Sequence, residues 1–174
     1  MGILANVDSG AYKFVLVLHV LTAIIGFGAV FLNGIYGYEA QKRRGPEGVA
    51  ISEANYAASR VGTYSILGVL VLGILLVLLS DEVWDFGQTW IWLSTLIFVV
   101  SLGLSHGLLM PMHRKAQVLA REVLSPASPV GTASDRPPQV VELEGLEKRV
   151  AMIGTALNLS LIAILFLMVW KPGL

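Results

Sequence analysis

Three histidines, His19, His106 and His113, are the side chains of this sequence best suited to hold an iron. Two neutral imidazoles on facing helices would ligate one haem from either side. The 174 residues include no Cys. That excludes disulfides, iron–sulfur clusters, thiolate metal sites, covalent c-type haem and a Cys nucleophile. His19 also opens a series, His19, Thr22, Gly26, Ala29, Asn33 and Tyr36, spaced alternately three and four residues apart. That spacing puts the six on one face of a helix. Such a face can line a ligand or cofactor site. It can equally pack against another helix through small residues and hydrogen bonds, which is the commoner use. A second amide, Asn158, and the run from Gly103 to Gly107, a small-xxx-small spacing, complete the chemistry-bearing positions. No His-Glu-x-x-His pair and no phosphate loop is present.

The elements that must position these residues follow from composition. The chain is 55% hydrophobic and 14% charged, with a mean hydropathy of +0.73. A soluble domain of this size needs more polar surface than that. Four apolar stretches, about residues 12–38, 61–79, 89–112 and 150–170, are long enough to cross a bilayer. Strand alternation is absent, which argues against a membrane barrel. The expected fold is all-α, a transmembrane four-helix bundle forming one integral membrane domain over residues 1–174. The first stretch is too long for a signal-peptide core and is followed by Lys42, Arg43 and Arg44, so it reads as a retained helix. Residues 47–60 read as a helix leading into the second span, and Pro111 as a bend or stop in the third. Residues 125–138, with four prolines and no apolar period, read as a flexible linker on the cytoplasmic side.

Charge placement orients the bundle. Ten of the twelve Lys and Arg residues fall between spans one and two or between spans three and four. The positive-inside rule then puts both termini outside and both longer loops in the cytoplasm of a bacterial plasma membrane. Trp84, Trp90, Trp92 and Trp170 fall at the opposite boundary, where an aromatic belt belongs. Twelve basic and twelve acidic residues cancel, so nothing points to nucleic acid. The expected partners are the lipid bilayer, with other membrane subunits or a second copy of the chain.

Depth tests the haem reading. His19 lies 7 residues beyond Tyr12, about 10 Å from the outer boundary. His106 lies 16 residues beyond Trp90, about 24 Å deep. One haem standing along the membrane normal needs both ligands at nearly one height, so haem b held by His19 and His106 of a single chain is disfavoured. A single-His haem, or one shared with another protein, stays open. His106 and Asn158 lie eight and nine residues from basic residues at the inner edge, level to within about 2 Å. A hydrogen bond between them is therefore expected, and His113, beside Arg114 and Lys115, reads as an interfacial residue.

Residues 18–31 (LHVLTAIIGFGAVF), Arg60-Val61-Gly62 entering span two, the Trp-rich outer turn and Pro111-Met112-His113-Arg114 ending span three carry a resemblance. Together they resemble an uncharacterised bacterial family of small four-span membrane proteins, a domain of unknown function. The resemblance covers most of the chain and implies four spans with no assigned activity. The opening His-Val-Leu-x-Ala is also similar to copper-resistance and cytochrome b-like four-helix membrane proteins. Copper handling implies a Met- and His-rich outer face, whereas the outer turns here hold no His and no Met beyond Met1.

Three functions are expected in this order. The first is a membrane protein without a catalytic constellation, an accessory or scaffold subunit of a larger complex, respiratory in one version. The second is a b-type haem or quinone-binding redox protein using His19 or His106. The third is a small-molecule carrier or channel along Thr22 and Asn33, acting as a dimer.

Overall fold

The computed structural model describes residues 6–43, 45–124 and 137–173. Among them there are helices and turns but no strands. The helices are α1 (Gly10–Arg43), α2 (Gly45–Leu78), α3 (Thr89–Leu104), α4 (Met110–Leu124) and α5 (Pro138–Trp170). A π turn, Ser105–Leu109, joins α3 to α4 in one continuous rod. Four rods are thus long and apolar enough to cross a membrane. The 34 residues of α1 measure about 51 Å, against roughly 30 Å of hydrocarbon. Each rod therefore runs well past the apolar layer at the end rich in Lys and Arg. Residues 45–60 are not a loop but the first four turns of α2. Most of the expected linker, residues 125–136, lies outside the described residues. Pro138 already belongs to α5, where a proline in the first turn loses no hydrogen bond.

Pro111 does not end the third rod. It has no N–H to give and its ring crowds the carbonyl one turn back. The preceding turn widens to accommodate it, so that the Met110 N–H reaches the Ser105 carbonyl five residues back.

A seven-residue period governs the packing of α1 on α2. The buried residues of α2 are Gly48, Asn55, Gly62, Val69 and Leu76. On α1, Tyr12 and Gly26 are buried, with His19, Asn33 and Ala40 half-buried on the same line. A strict repeat of seven keeps one seam in contact only if the helices wind left-handedly about each other. The seam is antiparallel and built from small residues. A Cβ on Gly62 would lie 2.6 Å from the Ala29 Cβ, and one on Gly26 would lie 3.0 Å from Ile66. Gly48 faces the Ala40 carbonyl in the same way. The polar face read from α1 is thus mostly a helix–helix interface. His19 packs on Gly73 and Thr22 on Gly68. The Ser59 hydroxyl donates to Asn33 Oδ1 at 2.8 Å. Tyr36 departs from the seam and is exposed.

At mid-height Val69, Phe98 and Ile164 close the core, with Ala23, Phe27, Ile66 and Met168 against them. The tryptophan end is tied by polar contacts. Trp84 Nε1 donates to the Tyr12 hydroxyl at 2.9 Å. The Lys171 ammonium sits 4.0 Å from the centre of the Trp84 ring, and Trp84 meets Trp90 edge to face at 5.4 Å. Only part of this group behaves as a belt: Trp92 and Trp170 are exposed, whereas Trp90 is buried in the cap. In the α2–α3 turn, fully buried Ser80 donates to the Val77 carbonyl and accepts the Trp84 N–H. The same turn holds Asp81 and Glu82 at φ of 53° and 67°. That left-handed region costs an L residue roughly 1 kcal/mol. Glu82→Gly is expected to raise the unfolding midpoint in detergent, by up to about 1 kcal/mol. A lower midpoint would mean that the Glu82 side chain contributes more than its backbone strain removes.

Candidate functional site

Towards the basic end the four rods leave a cavity of about 290 Å³ between them. Its walls come from all four: Asn33 and Gly37 on α1, Asn55 and Ser59 on α2, Ser105 and His113 on the third rod, Gly154 and Asn158 on α5. Ile66 belongs both to this wall and to the packing around Val69, Phe98 and Ile164, so the core closes the cavity on the tryptophan side. Towards the basic end it adjoins a second space of about 310 Å³. Gly37, Gln41, His113 and Val150 line both. The result is a recess closed on the tryptophan side, mainly apolar but carrying several amides and hydroxyls, rather than a pore. Ion pairs brace the helices beyond it: Lys115 with Glu142 at 2.5 Å, and Arg121 with Glu53. All four partners are half exposed, so each pair contributes little alone.

The charged side chains of the recess belong to its outer space, which Glu144 and Glu147 line, whereas the inner cavity carries amides, hydroxyls and the His113 imidazole. Among the described residues no Asp, Glu, Lys or Arg lines the 290 Å³ cavity. Asn55 is only 6% exposed, and its side-chain amide has no hydrogen bond among the described residues. An amide so placed can hydrogen-bond a polar molecule that enters the recess. Asn158 donates to the Gly154 carbonyl of its own helix at 3.1 Å. Its amide nitrogen lies 3.7 Å from where a Cβ on Gly34 would stand, so the glycine lets Asn158 come against α1.

The two histidines offered for a cofactor are not part of this site. His19 is held in the α1–α2 seam, where its Cε1 would be 3.2 Å from a Cβ on Gly73. Its Nδ1 is buried without a hydrogen-bond partner among the described residues. His106 is exposed on the outer face of the π turn, with Nδ1 3.1 Å from the Leu102 carbonyl. A carbonyl only accepts, so Nδ1 carries the proton of this bond. The expected His106–Asn158 bond is not formed. Equal depth was a sound inference, but the two side chains face different directions. His113 is brought into the recess instead. Among the described residues no group of three or more His, Asp and Glu gathers to hold a metal.

Asn55, Gln41 and His113 are the residues that depth and hydropathy do not reveal. Asn55 was recoverable from the seven-residue line through Gly48, Gly62, Val69 and Leu76. The Gly103–Gly107 run also has the Gly-x-Ser-x-Gly spacing of a hydrolase nucleophile elbow. That chemistry requires a sharp strand-to-helix turn, whereas Ser105 lies inside a continuous rod.

No curated protein and no solved structure matches the chain. Residues 13–172 match a family described as predicted integral membrane protein (DUF2269), so that four membrane-crossing rods and the family agree, and the chain belongs to that family.

Proposed function

We propose that this integral membrane protein is a non-catalytic accessory subunit whose working part is the one-ended recess, which holds a small molecule. The carrying observation is a mainly apolar cavity walled by all four rods, into which the half-buried Asn33 and Asn158 and the buried Asn55 bring side-chain amides, that of Asn55 without a hydrogen bond among the described residues. The basic end faces the cytoplasm of a bacterial plasma membrane in this reading, and both termini face outward, as the Lys and Arg placement supports. Gly154 gives the test. It lines the cavity, and a Cβ there meets nothing within 4 Å. Gly154→Leu therefore fills the recess without a clash and adds helix propensity, worth about 1 kcal/mol. Mild extraction and mass spectrometry of the intact chain should find a small molecule retained by the wild type and lost from Gly154→Leu. The same retained species in both proteins would overturn the reading.

Lateral association is supported by a separate observation. His106 is exposed within the apolar rod, and Cβ atoms on Gly103 and Gly107 would meet nothing within 4 Å. A polar ring facing lipid beside two glycines is more stable against another membrane helix than against acyl chains. Double substitution Gly103→Leu with Gly107→Leu is expected to abolish crosslinking to neighbouring subunits in native membranes while the monomer stays folded. Unchanged crosslinking would remove this face from the account.

A further inference from the structure

We propose that the recess takes the uncharged head of an amphiphile, one bearing carbonyl or hydroxyl groups, with its tail leaving between α1 and α5. This rests on the reading that the 290 Å³ cavity is a binding site. The head's charge follows from the wall. Apart from the His113 imidazole, no acidic or basic side chain among the described residues lines the cavity, so a charged head would be buried with no carboxylate, ammonium or guanidinium beside it. Its hydrogen-bonding character follows from the amides. Asn55 offers an unpaired donor and acceptor. Asn33 meets the Ser59 hydroxyl through one end of its amide and keeps the other end for a ligand. Its size follows from the volume, that of about ten water molecules at ~30 Å³ each. That suits a single ring or a glycerol ester.

The tail follows from position. Asn33 lies 21 residues along α1 from Tyr12, about 32 Å, so the cavity sits where the apolar layer ends at the basic side. Gly34 and Tyr38 of α1 and Ala151 and Thr155 of α5 line the cavity and are themselves exposed. The wall between α1 and α5 is therefore open to lipid at that height. A polar head can enter the recess there while its tail stays among acyl chains.

Two natural sources carry this chemistry, isoprenoid quinones and diacylglycerols. The test uses the full chain in lipid nanodiscs with four short-chain probes. These are an alkylated benzoquinone, dioctanoylglycerol, dioctanoyl phosphatidic acid and an alkyltrimethylammonium. At least one neutral probe should bind ten-fold or more tightly than both charged ones, and Gly154→Leu should weaken it at least ten-fold. Preference for the benzoquinone or for the glyceride identifies the source. Charged probes binding as tightly as the neutral ones would overturn the proposal. If no neutral probe binds although Gly154→Leu sheds a retained molecule, the neutral-head assignment fails and the recess remains a site. If Gly154→Leu changes neither measurement, both fail.

Discussion

Gly62→Leu is expected to lower the stability of the bundle by about 3 kcal/mol, the upper end for overpacking a tight interface. The reason is local. A Cβ at Gly62 would stand 2.6 Å from the Ala29 Cβ, closer than two carbons can approach. Both atoms are close to their backbones, so relief requires α1 and α2 to separate. The seam repeats this close approach at Gly26 against Ile66 and at Gly48 against Ala40, so separation at one level strains the others. Gly28→Leu is the matched control. It adds the same side chain to the same hairpin, but a Cβ there meets nothing within 4 Å. It should leave stability unchanged or raise it by up to about 1 kcal/mol through helix propensity. Denaturant titration in detergent, followed by far-ultraviolet circular dichroism, separates the two. Equal losses for both variants would mean that α1 and α2 do not meet along this face.

The spans were legible because burial in lipid needs only length and hydropathy, and neither depends on neighbours. The polar face of α1 was legible for the same kind of reason, since a period of three and four fixes a direction on one helix. What it packs against was not. His19, Thr22 and Ala29 meet Gly73, Gly68 and Gly62 only after the antiparallel register of α2 is set. The recess depends on still more, the azimuth of all four rods at one height. Depth placed His106 beside Asn158, yet the π turn before Pro111 leaves His106 facing out. A widened turn shifts the helical phase, and no spacing rule carries through it. His113, read as interfacial, lines both spaces because that shifted phase turns it inward.

The absence of native Cys makes the recess directly measurable, since any introduced thiol is the only one. Gly37 lines both spaces, and a Cβ there meets nothing within 4 Å. Val69 is 6% exposed in the closing core. A thiol reacts as its thiolate, which forms in water and is suppressed in apolar surroundings. Gly37→Cys in sealed vesicles should therefore react with a charged, membrane-impermeant thiol reagent added at the basic end. Its rate should exceed that of Val69→Cys by at least about 100-fold. From the tryptophan end neither should react. Occupancy by a neutral amphiphile should slow Gly37→Cys and leave Val69→Cys unaffected. The account is contradicted if Gly37→Cys is as inert as Val69→Cys, or if it reacts equally from both faces of the membrane.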